Sequence, residues 1–184
     1  MRGRARVLAV LALLPALLAA VPPSLNQAFR HAAPPGWIVG AGREGLYEWL
    51  RFVESSDLDG EDYAAQAITL YRFELQDPMR AGAELTRAKA AEQTISRRSE
   101  VKRKIGGVRW KGLEAAYTSD SGVSRREVYL YATAGKKRLY LFWARGPESG
   151  WQKHAALREA VFKEISAVIH SGVKPSAKGE DGNR

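Results

Sequence analysis

The 184-residue sequence contains no cysteine and only three histidines, which removes several classes of chemistry. Without cysteine there is no disulfide bond, cysteine–zinc site, thiol nucleophile or iron–sulfur cluster. A lipid attached to an N-terminal cysteine is excluded for the same reason. His31 stands near the N-terminus, and His154 and His170 lie sixteen positions apart. A helical metal-binding pair needs a spacing of three or four, so the sequence predicts no metal site.

Recognisable catalytic motifs are also missing. There is no G-x-S-x-G segment, and the glycine run Gly40, Gly42 and Gly45 lacks the preceding strand and the lysine–threonine end of a phosphate-binding loop. The acidic run 57–62 lacks the spacing and the terminal glutamate of a calcium loop. We therefore predict that the protein is not an enzyme and holds no cofactor. A remote alternative is a hydrolase with a dispersed site that gathers His154 or several carboxylates.

What the sequence does have is an N-terminal export signal. Residues 1–6 carry three arginines, and residues 7–20 are wholly apolar. Fourteen helical residues span about 21 Å, which is short of the ~30 Å hydrocarbon core of a bilayer, and Pro15 interrupts a straight helix. The pattern predicts a signal peptide over residues 1–20 and hence export. Leu18 is a poor residue before the cut, so an uncleaved membrane anchor stays open as the alternative.

The rest of the chain divides into three parts. Residues 21–36 contain four prolines and no periodicity, which predicts a Pro-rich spacer. Residues 174–184 are polar without apolar anchors, which predicts a disordered tail. Between them, residues 37–173 have the length and composition of a single folded domain.

Alternating and helical apolar patterns predict an α+β domain. The predicted order is strand, strand, helix, strand, hairpin and helix, over residues 45–53, 64–76, 78–98, 108–118, 125–145 and 151–170. This order is typical of an antiparallel β-sheet with helices packed on its faces. Gly112 indicates a β-bulge in the strand at 108–118.

The hairpin and the two helices carry the clearest predictions. Both faces of the hairpin are bulky and apolar, so we expect it in the middle of the sheet and covered on both sides. The last helix has one apolar stripe that would hold it against the sheet. The first helix has a weaker stripe through Met79, Leu85, Ala88 and Ile95, so we expect it to pack at its ends or close to the sheet.

The chain is strongly basic, with a formal net charge of +9 at pH 7. Removing the leader's three arginines from the 29 basic residues leaves 26 against 20 acidic ones. The basic residues form three clusters: Arg97, Arg98, Lys102, Arg103 and Lys104; Arg125 and Arg126; Lys136, Lys137 and Arg138. They favour contact with anionic lipid or glycan. The alternative is a solvated basic edge that protects an exposed strand from aggregation.

Five tryptophans are many for this length, at positions 37, 49, 110, 143 and 151. Buried tryptophans of a hydrophobic core explain them, and so does an exposed aromatic surface that binds sugars. The sequence favours the core without deciding the matter.

The run from Val108 to Val173 resembles a known family. Trp110, Gly112, Ala116 and Tyr117 lead into the hairpin VYLYATAGKKRLYLFWA and then into a helix that ends in FKEISAVIHSGV. This order, together with Pro35-Gly36-Trp37 before the domain, resembles the PsbP-like fold family, which includes the photosystem extrinsic protein and bacterial DcrB-like envelope proteins. The resemblance implies an antiparallel sheet sandwiched by helices and a non-catalytic accessory role outside the cytoplasm. It transfers no catalytic or binding residue.

These observations lead to one functional expectation and one alternative. We expect an exported, non-catalytic accessory domain that binds a protein partner or complex at the outer face of the membrane. The alternative is a binder of anionic lipid or polysaccharide that uses the basic clusters. Export argues against nucleic acid as a partner. The expected location is periplasmic or secreted, or membrane-anchored where the leader is uncleaved.

Overall fold

A computed structural model describes Leu25 and residues 35–54, 66–91, 95–119 and 122–173. The predicted signal peptide at 1–20, most of the spacer and the polar tail at 174–184 lie outside these residues, so the predictions made for them stay predictions. Among the helices of the described part, none combines the length and hydropathy that crossing a bilayer requires.

Within the described residues, seven antiparallel strands form one sheet in the order β1-β2-β3-β7-β6-β5-β4. Three helices whose bounds lie in the described part of the chain accompany it, which confirms the predicted α+β class. The strands are β1 Trp37–Glu44, β2 Tyr47–Glu54, β3 Ala67–Glu74, β4 Ile95–Ile105, β5 Val108–Thr118, β6 Ser124–Ala134 and β7 Arg138–Pro147. The helices are α1 Pro78–Ala91, α2 Glu148–Trp151 and α3 Ala155–Val173.

The predicted hairpin is β6–β7, and it lies in the middle of the sheet as expected. One face of the sheet packs against α3, and the other packs against α1; we call them the α3 face and the α1 face. Side chains alternate between these faces along each strand. Leu130 and Phe142 join the larger apolar cluster on the α3 face, whereas Tyr129 and Leu141 join the smaller one on the α1 face.

The apolar stripe of α3 is confirmed as the main contact with the sheet. Val161, Phe162, Ile165 and Ile169 are each at most 1% exposed. Burial of an aliphatic or aromatic side chain of this size contributes about 1.5–3 kcal/mol, so the stripe is enough to hold the helix. The ring of Phe162 lies 4.9 Å from that of Trp110.

A buried hydroxyl connects α3 to β5. Ser166 Oγ accepts a hydrogen bond from Trp110 Nε1 at 2.9 Å and donates one to the carbonyl oxygen of Phe162 at 2.8 Å. Ser166→Ala should lower the free energy of unfolding by about 1–3 kcal/mol, because it leaves a buried indole N–H without an acceptor. Urea denaturation checks this. Ser171→Ala removes an exposed hydroxyl from the same helix and should change little; equal losses in both variants would contradict the prediction.

Helix α1 differs from its prediction in length and in the face it buries. It ends at Ala91 rather than at Arg98, since Ile95 already begins β4. Met79 is 49% exposed, whereas Gly82 is buried against the ring of Tyr131. A Cβ at position 82 would come within 2.8 Å of that ring. The helix therefore approaches the sheet through its small residues, and its larger apolar residues face outward.

Strands β1 and β4 were not predicted. In β1, Gly40 and Gly42 leave room for the indole of Trp49, which a Cβ on Gly42 would approach within 2.7 Å. The predicted bulge at Gly112 is wrong, because β5 keeps an unbroken register with both neighbours there; the shift lies between Ile95 and Arg97. Gly112 is instead required by close contact with β6.

Leu25, which falls in the predicted spacer, packs into the core. Its side chain is 1% exposed and joins the apolar cluster on the α3 face. Its N–H donates a hydrogen bond to Glu48 Oε2 at 2.8 Å, and Arg72 Nη2 lies 2.7 Å from the same oxygen. A buried ion pair of the domain therefore holds this residue in place.

Candidate functional site

A cleft of about 530 Å³ opens between α1 and the strands β4 and β5. Its volume lies in the range of roughly 300–1,000 Å³ that is usual for ligand sites. We call it the basic cleft. Its lining comes from α1 (Ala83, Thr86, Arg87 and Ala90), β4 (Arg98, Glu100, Val101 and Lys102), β5 (Lys111, Gly112 and Leu113) and Tyr131 of β6.

The charge of the basic cleft is one-sided. Arg87, Arg98, Lys102 and Lys111 face it, with Glu100 as the one carboxylate in its lining. All five side chains are exposed, so an incoming ligand meets a positive rim. Clefts lined by one sign of charge concentrate ligands of the opposite sign.

Cross-strand pairing makes this charge unfavourable for the sheet itself. Lys102 lies directly opposite Lys111, and Lys104 lies directly opposite Arg109. Like charges in this position repel and destabilise a sheet. An anion bound between the basic side chains of β4 and β5 would relieve that repulsion. The arrangement therefore favours the binding of an anion, although it lowers the stability of the sheet.

Protection of an exposed edge is the structural alternative, because charged side chains keep edge strands from pairing with other chains. It accounts for Lys102 and Lys104, since β4 is the last strand of the described sheet. It does not account for Lys111, because β5 is paired on both sides at that residue.

Under the charged rim, the cleft has an apolar floor. Ala83 and Ala90 of α1 and Leu113 of β5 contribute to it, together with the ring of Tyr131. Leu113 and Tyr131 are almost completely buried and fix this floor to the sheet. The cleft therefore offers apolar contact below and cationic groups above.

A second cleft of about 350 Å³ shares Lys111 and Tyr131 with the basic cleft. It adds Arg109 and His170, whose imidazole lies next to Gly107. His170 stands in the last turn of α3. The positive rim thus continues along β5 toward α3.

The structure divides the predicted basic clusters. Arg98 and Lys102 line the basic cleft, whereas Arg103 turns to the α3 face and pairs with Glu159 at 2.9 Å. The other predicted residues lie elsewhere. Arg97 and Arg126 are on the α3 face, Lys104 is opposite Arg109, Arg125 is buried, Arg138 is beside Glu74, and Lys136 and Lys137 are exposed in the β6–β7 turn. Sequence reasoning missed Arg87, Arg109 and Lys111.

None of the tryptophans lines the basic cleft. Trp110 and Trp151 are buried in the core, as the favoured interpretation predicted. Trp37, Trp49 and Trp143 are partly buried. The indole of Trp143 donates a hydrogen bond to Glu127 at 3.0 Å.

His154 does not reach either cleft. Its Nε2 lies 3.3 Å from Glu54 Oε2, and its ring packs edge-on against Trp37. No group of three or more potential metal ligands occurs among the residues that the structure describes. The basic cleft holds one carboxylate and the second cleft holds none, so neither gathers the groups that the hydrolase alternative requires.

No family model matches this chain, and no curated protein does. Eight chains of solved structures are similar to it, among them the following two. LpqN of Mycobacterium tuberculosis, described as involved in cell envelope biogenesis, has a TM-score of 0.47 and 12% identity, over 74% of this chain and 86% of that one. Cyanobacterial PsbP (CyanoP) from Synechocystis sp. PCC 6803 has a TM-score of 0.45 and 18% identity, over 77% of this chain and 88% of that one. The second of these structures bears the family name that the sequence resemblance suggested.

Proposed function

We propose that the chain is an exported, non-catalytic accessory protein of the cell envelope that binds an anionic lipid or polysaccharide in the basic cleft. The observation that carries this proposal is the pairing of Lys102 with Lys111 and of Lys104 with Arg109 across β4 and β5. These pairs weaken the sheet and are accounted for by an anionic ligand. The predicted leader supports a location where such ligands are abundant.

The shape of the cleft supports a ligand with one anionic group or a narrow polymer. A stable protein–protein interface buries about 800 Å² on each partner and is usually broad, whereas this cleft is concave. Its apolar floor, to which the partly buried Ala83 and Ala90 contribute, adds contact that screening by salt does not weaken. The ligand is held by charge at the rim and by burial below it.

A protein partner in the envelope is the second candidate. It is favoured by β1, which ends the described sheet on the other side and exposes Ile38 (44%) and Val39 (40%). Exposed apolar side chains on an edge strand favour association with another chain. Binding there should resist salt, whereas binding in the basic cleft should not.

Reversing charge in the basic cleft should weaken ligand binding. Lys102→Glu with Lys111→Glu should lower the affinity for vesicles that contain phosphatidylglycerol by at least about 30-fold, since two charges near an anionic surface contribute roughly 2 kcal/mol and their reversal adds repulsion. Co-sedimentation with the purified protein measures this. Wild-type binding should also fall as sodium chloride rises.

The matched control is Lys136→Glu with Lys137→Glu, which makes the same charge change in the exposed β6–β7 turn. Its affinity should stay within about threefold of wild type. Equal losses in the two double variants would mean that net charge, and not the cleft, governs binding. A soluble acidic polysaccharide, polygalacturonate, serves as the parallel probe. Salt-resistant capture of an envelope protein together with unchanged vesicle binding would favour the second candidate.

A further inference from the structure

Two arginines flank a small depression on the α3 face, on the opposite side of the sheet from the basic cleft. Arg97 of β4 lies opposite Ala116 of β5, and Ala116 lies opposite Arg126 of β6. The alanine between them leaves a cleft of about 80 Å³, which Ser99 and Glu114 also line. Arg126 Nη2 lies 2.6 Å from Glu114 Oε1.

A third guanidinium group approaches from α3. The Arg158 guanidinium carbon lies 3.7 Å from the centroid of the Trp151 ring, and that of Arg126 lies 5.9 Å from the same ring. Stacking on the buried indole fixes the orientation of the Arg158 side chain. The guanidinium groups of Arg126 and Arg158 therefore both lie near the indole ring of Trp151.

The electrostatics of this cluster are strained. Burial and the positive charge of Arg126 lower the pKa of Arg158 to about 10, and the charge of Glu114 opposes that change only in part. Arg158 Nη1 is buried and has no hydrogen-bond acceptor among the described residues. An arginine keeps its charge in proteins, and a buried N–H without an acceptor lowers the stability of the folded state. Arg126 pairs with Glu114, the charge of Glu114 acts on Arg158, and Arg97 lines the same depression as Glu114, so one carboxylate serves three guanidinium groups.

We propose that Arg97, Arg126 and Arg158 form a binding site for a single phosphate-type oxyanion, separate from the basic cleft. Guanidinium groups match the oxygens of phosphate with pairs of N–H donors, and the hydroxyl of Ser99 adds a donor at the rim. The small volume suits one such group rather than a polymer. The carboxylate of Glu114 repels an anion, but its pairing with Arg126 and the excess of two positive charges outweigh it.

The packing of the cluster favours a binding role over a purely structural one. Arg103, on the same strand as Arg97, shows the structural pattern, since Glu159 neutralises it and its guanidinium lies over Phe162. By contrast, in the part of the chain that the structure describes, the group of Arg97, Arg126 and Arg158 has only the carboxylate of Glu114, and Nη1 of Arg158 is buried without a hydrogen-bond acceptor. Because the residues sit on strands and on a long helix, the site is organised before an anion arrives.

Inorganic phosphate is the first probe. At constant ionic strength, replacing sodium chloride by sodium phosphate should raise the thermal unfolding temperature of the purified protein, because a ligand that binds the folded state stabilises it. Calorimetric titration should show one site. Arg97→Gln changes an exposed side chain and should weaken phosphate binding at least fivefold, and Arg158→Lys, which keeps the charge but loses the planar fork, should also weaken it.

Arg103→Gln is the matched control and should leave phosphate binding unchanged. The variant Lys102→Glu with Lys111→Glu should retain the phosphate site, which separates this proposal from the proposed function. Vesicles that contain phosphatidate distinguish the source of the group: competition with phosphate indicates a lipid headgroup, and its absence indicates a soluble phosphate compound. Phosphate that stabilises no more than chloride, or equal losses in Arg97→Gln and Arg103→Gln, would overturn the proposal.

Discussion

Replacing Gly112 by alanine should lower the free energy of unfolding by about 3 kcal/mol or more, the upper range for overpacking a core. A Cβ at this position would overlap the carbonyl oxygen of Tyr129 and would come within 2.9 Å of Leu130 Cα. Both atoms belong to the backbone of the neighbouring strand, so no side-chain rotation relieves the overlap. The register between β5 and β6 must shift or open. Urea denaturation, with circular dichroism as the signal, measures the loss.

Gly150→Ala is the control for this prediction. A Cβ there would lie 3.0 Å from Gln66 Nε2, the far end of a flexible side chain. Gln66 Nε2, which donates a hydrogen bond to the carbonyl oxygen of Pro147, needs to shift by only a few tenths of an ångström, so the stability should change by less than about 1 kcal/mol. A stable, cooperatively folded Gly112→Ala protein, as resistant to urea as the Gly150→Ala protein, would show that the close approach of β5 and β6 is not required.

The Arg72→Met variant should be destabilised by about 3–5 kcal/mol, because it leaves a buried carboxylate without its partner. Arg72 Nη2 lies 2.7 Å from Glu48 Oε2, and both side chains are about 10% exposed. Arg43 is 3.9 Å from Glu48 but is mostly exposed to water, so it cannot replace the lost charge. Leu25, whose N–H binds the same carboxylate, should loosen as well. Chemical denaturation and proteolysis near the N-terminus measure these two effects.

A double variant tests whether the unpaired charge of Glu48 causes the loss of stability in Arg72→Met. Glu48→Gln combined with Arg72→Met should recover a large part of the loss, since a neutral amide costs less to bury than an unpaired charge. Arg80→Met is the control, because its pair with Glu84 at 2.8 Å lies on the surface; its stability should stay close to wild type. If the single and double variants are equally unstable, the charge on Glu48 is not the cause.

The sequence was most informative where packing alone determines the pattern. In β6 and β7 both faces are apolar, and this correctly predicted a central hairpin covered on both sides. The stripe of α3 from Leu157 to Ile169 likewise predicted its buried face. In both cases the side chains that define the periodicity are the ones that the core requires, so local patterning and tertiary structure agree.

The apolar pattern did not predict strands that are exposed to water or that pack closely against a large side chain, namely β1 and β4. The glycines of β1 resemble a loop, but they make room for the ring of Trp49 on the next strand. In β4 the alternation is hidden because both faces carry charge, with Lys102 toward the basic cleft and Arg103 toward Glu159. The binary apolar pattern of a half-buried strand is therefore absent.

The prediction for the buried face of helix α1 was wrong for a different reason. The prediction followed its largest apolar residues, Met79 and Leu85, which the structure leaves exposed. The buried position is Gly82, because the ring of Tyr131 fills the space that a side chain would need. The pattern of apolar residues in α1 cannot show that a large side chain of the sheet, here Tyr131, fills the contact with a glycine of the helix.

Part of the basic cleft follows from the sequence once β4 is recognised as a strand. Gly106 and Gly107 both have positive φ and form the two-residue turn between β4 and β5, a conformation that glycine adopts readily. That turn sets the register and brings Lys102 opposite Lys111. Arg87 depends on how α1 packs across the sheet, and no local signal predicts it.

The docking of Leu25 limits how far a membrane-held form of the protein could stand from the bilayer. Were the predicted leader retained, only residues 21–24 would lie between its end and the buried Leu25. Such a tether reaches about 18 Å when fully extended, which is less than the thickness of the hydrocarbon core. The domain would then be held with its α3 face near the lipid headgroups. The same short segment would determine both its cellular location and its orientation relative to the membrane.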